Sequence, residues 1–170
     1  MRNLLEKYYN INFYCSYKLQ FFIFRRMLNP FYWLSLSKWK NGYINRCISI
    51  NKRQEAARMN KGVDVYISST ASNTPFIISL WICCLVCLAY IKIFRISLLS
   101  ILGNGVFILL LILIGICGYY VNEIFLLKGD KYKKYFAEFD KKKRYLLYYG
   151  IYVVSLIIRL ATFYLLLASA

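Results

Sequence analysis

From Ile96 to Val121 the chain runs for 26 residues without a charged side chain. A helix rises about 1.5 Å per residue and the hydrocarbon core of a bilayer is about 30 Å thick, so about 20 apolar residues suffice to cross it. A helix that is apolar all round needs either a large protein core or a membrane. Two further runs point the same way. Pro75 to Ile91 holds 17 uncharged residues and is ended by Lys92 and Arg95; it is short for a span, but Lys92 can extend its stem and leave its ammonium at the headgroups. The last run goes from Tyr145 to Ala170 and is interrupted once, by Arg159. One Arg near mid-helix costs about 2.5–3.5 kcal/mol on insertion scales, and each Leu or Ile returns about 0.3–0.6, so the flanking Ile157, Ile158, Leu160, Leu165, Leu166 and Leu167 offset it.

These runs predict an all-α integral membrane protein with three transmembrane helices, at about 75–93, 97–121 and 145–168. Residues 1–74 form a basic, aromatic, interfacial or cytoplasmic region, and residues 75–170 a three-span membrane domain with an inner loop at 122–144. Composition agrees. The chain is 60% apolar and 19% aromatic, yet carries 23 Lys+Arg against 7 Asp+Glu. A charge of +16 beside a mean hydropathy of +0.47 is reconciled if the charge sits in loops and the apolar residues in spans.

Twelve of the Lys and Arg residues fall in 1–74 and eight in 122–144, against two between the first two runs. Because basic loops stay cytoplasmic, the N-terminus and the loop 122–144 are expected inside, the turn around Lys92–Ser97 and Ala170 outside. Tyr119 and Tyr120 close the second run and Tyr145, Tyr148 and Tyr149 open the third, an aromatic belt at the same inner interface. The expected location is a bacterial inner (plasma) membrane. Residues 1–36 resemble no signal peptide: Lys18, Arg25 and Arg26 break the apolar clusters, and Pro30 follows. They read as an interfacial helix lying along the bilayer. Met1, Met27 and Met59 are all possible starts.

Within the inner loop, Tyr132, Tyr135, Phe136 and Phe139 have the i, i+3, i+4, i+7 spacing of one helical face. Gly129 precedes them, Asp130 can cap, and Lys134–Glu138 and Glu138–Lys142 are possible i,i+4 pairs. A short amphipathic helix is expected, its aromatic face on the bilayer and Lys131, Lys133, Lys134, Lys141, Lys142, Lys143 and Arg144 among anionic lipid headgroups. Arg46, Lys52, Arg53, Arg58 and Lys61 border a helical stretch, Asn51 to Asn60, read as a solvated connector.

Arg159 is the main intramembrane candidate, because the spans hold no acid to pair with it. Backbone carbonyls, the Asn104 amide, Tyr hydroxyls, water or a second chain are its possible partners. Asn104, between Gly103 and Gly105, suits an interhelical hydrogen bond, and Gly115 and Gly118 a close helix approach. Cys83, Cys84, Cys87 and Cys117 lie in the spans as small packing residues, while Cys15 and Cys47 are expected cytoplasmic and reduced. With no histidine and few acids, His-based general-base or nucleophile chemistry and most zinc sites have no ligands here. No catalytic residue, metal site or cofactor is predicted.

The function read from these residues is non-enzymatic binding or assembly within the membrane, as a complex subunit, an inhibitor or an immunity-type protein. Its expected partners are the anionic bilayer and a membrane protein or further copies of the chain; nucleic acid is not among them. The alternative is a homo-oligomeric, holin-like pore or small channel with Arg159 facing the lumen. Against a wide pore, the third span offers almost no polar face beyond Arg159, Ser155, Thr162 and its tyrosines.

Overall fold

The computed structural model describes residues 2–38, 41–60, 62–95 and 106–168. Helices account for most of them. Helix α1 (Arg2–Phe22) continues into a π-helical turn, Ile23–Met27, closed by the Leu28 amide bonding to the Ile23 carbonyl at 2.8 Å. Asn29 then caps α2 (Pro30–Leu36) by accepting from the Phe31 amide, and proline at the first helical position costs no hydrogen bond there. Asn41 caps α3 (Gly42–Arg58) in the same manner. A two-rung antiparallel hairpin, β1 (Met59–Asn60) with β2 (Val63–Asp64), pairs Met59 with Asp64 and Asn60 with Val63. Its turn includes Gly62 at φ +81°, a conformation natural to glycine. Asp64 caps the short α4 (Val65–Ala71) through the Tyr66 and Ile67 amides.

The C-terminal half follows as α5 (Asn73–Phe94), α6 (Val106–Asn122) with a π turn at Glu123–Leu127, α7 (Lys131–Lys142) and α8 (Tyr145–Ala168). Left-handed residues, Gly129 and Asp130 before α7 and Lys143 after it, turn the chain sharply at both ends. Asp130 sits at the N-cap position of α7 but makes no capping bond; its carboxylate pairs with Lys133 at 3.1 Å.

The expectation of a surface-lying helix at the N-terminus does not hold for α1. Every residue from Tyr9 to Tyr17 is buried, more than two turns covered on all sides by α4, α5, α7, α8 and the second π turn. The predicted aromatic face of α7 is present, but it rests on α1 rather than on the bilayer. Tyr14 meets Phe136 and Phe139 with ring centroids 5.1 and 5.4 Å apart, Phe13 meets Tyr132 at 5.8 Å, and Phe139 reaches Tyr148 of α8 at 4.7 Å. Edge-on aromatic pairs add about 0.5–1.5 kcal/mol each beyond their buried area, so this block is a large part of what seats α1. Ion pairs lock both ends of the α1–α7 contact: Glu6 with Lys131 and Lys18 with Asp140, each at 3.0 Å.

Of the three predicted spans, α8 alone is long and apolar enough among the described residues to cross a membrane. Its most apolar window is only 17% buried, so it is not a covered core helix of the soluble kind. The described apolar part of α5 is shorter. From Ile112, α6 reaches the required length only if joined across a 54° bend to α7. The start of the span expected at 97–121 lies outside the described residues.

Candidate functional site

The residues that α8 buries are the polar ones. Tyr148, Ser155, Arg159 and Thr162 point into the protein, spaced at seven, four and three residues along one helical face. Val153, Val154, Ile157, Ile158, Leu160 and Leu165 point out, and Leu146 is 92% exposed. An amphipathic helix in water has the reverse arrangement.

Arg159, 5% exposed, is satisfied by its neighbours. Its Nε donates to the Ser155 carbonyl one turn back at 3.0 Å, which draws the guanidinium toward the start of α8. From there Nη2 donates to Asn12 Oδ1 of α1 at 3.1 Å. Asn12 is held for this role, because its own amide nitrogen donates to the Tyr8 carbonyl at 3.0 Å and leaves the oxygen to face the arginine. One turn earlier on α1, the Tyr8 hydroxyl is hydrogen-bonded to the Ser155 hydroxyl. The four side chains form one continuous polar seam between α1 and α8. A carbonyl was among the expected partners of Arg159; Asn12 was not.

Two more contacts extend the seam. Trp81 Nε1 of α5 donates to Thr162 Oγ1 at 2.9 Å, and that hydroxyl donates onward to the Ile158 carbonyl. At the other end the Tyr9 hydroxyl donates to Asn122 Oδ1, and Asn10 Nδ2 to the Phe125 carbonyl, fixing α1 against the end of α6. Burial raises the Tyr9 hydroxyl pKa, and burial with the Asp140 hydrogen bond raises that of Tyr14. Burial also pushes the Cys15 thiol up to about 12, so it is inert rather than nucleophilic.

Of the basic residues in the loop, Lys131 is held by Glu6 and the Ile124 carbonyl, Lys133 by Asp130, and Lys142 by Glu138. Lys134, Lys141, Lys143 and Arg144 are exposed. Asp130 raises the Lys133 pKa. Asn104, with Gly103 and Gly105, lies outside the described residues. Gly118 is buried, but a Cβ built on Gly115 would meet nothing within 4 Å, so no described element approaches it closely. Cys84 is buried, whereas Cys117 is exposed on the outer surface of α6.

A second network escaped the sequence reading. Arg25 in the first π turn bridges Asp64 and Glu55 through its two terminal nitrogens, at 2.5 and 2.6 Å. Asp64 is 1% exposed and is also the α4 cap, while its amide donates to the Tyr17 hydroxyl. Glu55 accepts in addition from Asn29 and Asn51. Burial alone would lower the Arg25 pKa, but the two carboxylates outweigh it and hold the side chain charged. The sequence signal was available: Glu55 and Asp64 are two of only three acids in the first 74 residues, and both lie beside a basic stretch.

Among the described residues no three His, Cys, Asp or Glu side chains gather as a metal site. The chain matches no protein family, no curated protein and no solved structure. Its function is therefore argued from these networks.

Proposed function

We propose that this is an integral membrane protein of three helical spans which acts by non-enzymatic binding and assembly within the bilayer. The inside-out character of α8 carries the reading. A helix that faces its surroundings with Leu, Ile and Val and turns Ser155, Arg159 and Thr162 inward is stable where those surroundings are lipid. The outward faces of α5 and α6 are of the same kind, with Ile82, Val86 and Ile93 on one and Leu109, Ile112 and Ile116 on the other. In this reading the basic loop lies on the cytoplasmic side, α7 covers the inner end of α8, and α1 packs along α8 as far as Arg159.

The seam supports assembly over a pore. A lumen lined by an arginine ring needs the guanidinium turned away from its own protomer. Arg159 instead bonds to Asn12 of the same chain, and the outer faces left for contact are apolar. Such faces suit a partner's transmembrane helix, as in a complex subunit or an inhibitor of a membrane protein.

The test is extraction of native membranes at alkaline pH, followed by mild-detergent purification of the tagged chain and intact-mass analysis. Retention in washed membranes and recovery with a stoichiometric different protein are the expected results. Release by the wash would refute the membrane assignment, and a closed ring of identical, ion-conducting copies would replace assembly with the pore.

A further inference from the structure

We propose that an anionic phospholipid occupies a groove on the outer side of α8, with one acyl chain along the helix and its phosphate between Lys7 and Arg144. The inference rests on the membrane reading above and adds to it a specific ligand. The groove has two joined parts. The larger, about 590 Å³, is floored by Gly150 and walled by Leu147, Ile151, Val154, Ile158 and the Tyr8 ring. The smaller, about 290 Å³, shares Tyr8, Leu147 and Ile151 with it and opens among Lys7, Lys142 and Arg144. Ligand sites commonly measure about 300–1,000 Å³. The groove is therefore apolar along its length and cationic at one end.

Charge complementarity selects the occupant. Lys142 is paired with Glu138, but neither Lys7 nor Arg144 has an acidic partner among the described residues. Arg144 immediately precedes α8, so its guanidinium, with its fork of donors for phosphate oxygens, stands where the helix leaves the headgroup layer. From Arg144 to Ile158 is about 21 Å along a helix. That distance runs from the headgroups past the middle of a core about 30 Å thick, the depth one acyl chain reaches. Gly150 leaves the floor of the groove without a side chain. A Cβ there would meet nothing within 4 Å, so the space is open and can be filled without displacing protein atoms. A zwitterionic lipid would bring its own cation into a cationic mouth, which is why the phosphate must belong to a lipid of net negative charge.

The test is native mass spectrometry of the full chain in mild detergent, titrated with phosphatidylglycerol or with phosphatidylcholine. Wild type should retain one phosphatidylglycerol with at least tenfold preference over phosphatidylcholine. The Lys7→Gln/Arg144→Gln double variant, changed only at exposed positions, should lose that preference. Gly150→Trp should lower retention of either lipid about tenfold, and Gly150→Ala should leave it unchanged. Equal retention of the two lipids by wild type, or wild-type retention in both the double variant and Gly150→Trp, would overturn the site. So would a lipid-independent dimer that Gly150→Trp dissociates, since the groove would then hold a second copy. Membranes washed at alkaline pH separate the two failures: a chain that stays embedded but is indifferent to lipid charge loses only this site, and a chain that washes off loses the membrane reading as well.

Discussion

Replacing Asn12 with Ala removes the hydrogen bond that joins α1 to Arg159 and leaves the rest of the arginine's surroundings in place. Arg159 has one bond within its own helix, to the Ser155 carbonyl, which survives, and one across to Asn12, which does not. A hydrogen bond to a charged group contributes about 1.5–3 kcal/mol net in proteins, whereas side-chain bonds between membrane helices average about 0.6 and reach about 1.7. Asn12 is fully buried, so water does not replace its oxygen freely, and a loss of about 2 kcal/mol is expected. Arg159→Leu behaves differently. It orphans the Asn12 oxygen, at about 1–3 kcal/mol, but, with α8 spanning the bilayer as proposed, relieves the chain of a guanidinium that costs about 2.5–3.5 kcal/mol there, so its net effect is near zero. The double variant Asn12→Ala/Arg159→Leu has neither orphan and should be about as stable as Arg159→Leu alone. The two changes should therefore couple by about 2 kcal/mol, roughly thirtyfold in the unfolding equilibrium. Reversible unfolding in mixed micelles with rising dodecyl sulfate, followed by circular dichroism, measures all four corners of the cycle. Coupling within about 0.5 kcal/mol of zero, the usual error of additivity, would mean that the seam does not hold α1 to α8.

Two further changes probe the rest of the fold. Arg25→Leu strands the buried Asp64 carboxylate and should cost about 3–5 kcal/mol, with Asp64→Asn costing less because the α4 cap survives; hydrogen exchange at residues 63–71 reads this, and unchanged protection in Arg25→Leu would refute it. Stability should also fall at alkaline pH. The folded chain keeps the Cys15 proton until about pH 12 while the unfolded chain releases it near 8.5, so each pH unit between them removes up to about 1.4 kcal/mol. Below the unfolded value this contribution is fully present. Thermal melts of wild type and Cys15→Ala between pH 8 and 10.5 check the point: the variant should decline less steeply, and parallel declines would place the thiol in solvent.

The parts of the fold written in periodicity were legible. The apolar run predicts a helix over 145–168, which forms as Tyr145–Ala168, and the spacing of Tyr132, Tyr135, Phe136 and Phe139 locates both α7 and its aromatic face. What that face meets was not legible. Aromatic rings suit a membrane interface and a protein interior equally, and sequence alone does not state which is present. Helix α1 was misread for a related reason. Its buried stretch contains Asn10, Asn12 and Ser16 among tyrosines, so no apolar stripe marks it as core. The available clue lay 147 residues away: a span with one arginine and no acid needs a neutral acceptor, and Asn12 and Tyr8, four residues apart on one helix face, supply a matched pair for Arg159 and Ser155.

That separation also sets a schedule. A ribosome adds about 5–20 residues per second, so Asn12 is joined to the chain roughly 7–30 seconds before Arg159. For most of that interval α1 lacks the cover of α7 and α8, because residues 131–168 are made only at its end and after it. The buried stretch Tyr9–Tyr17 therefore meets α4 and α5 first and is closed over by α7 and α8 only when the end of the chain has been made.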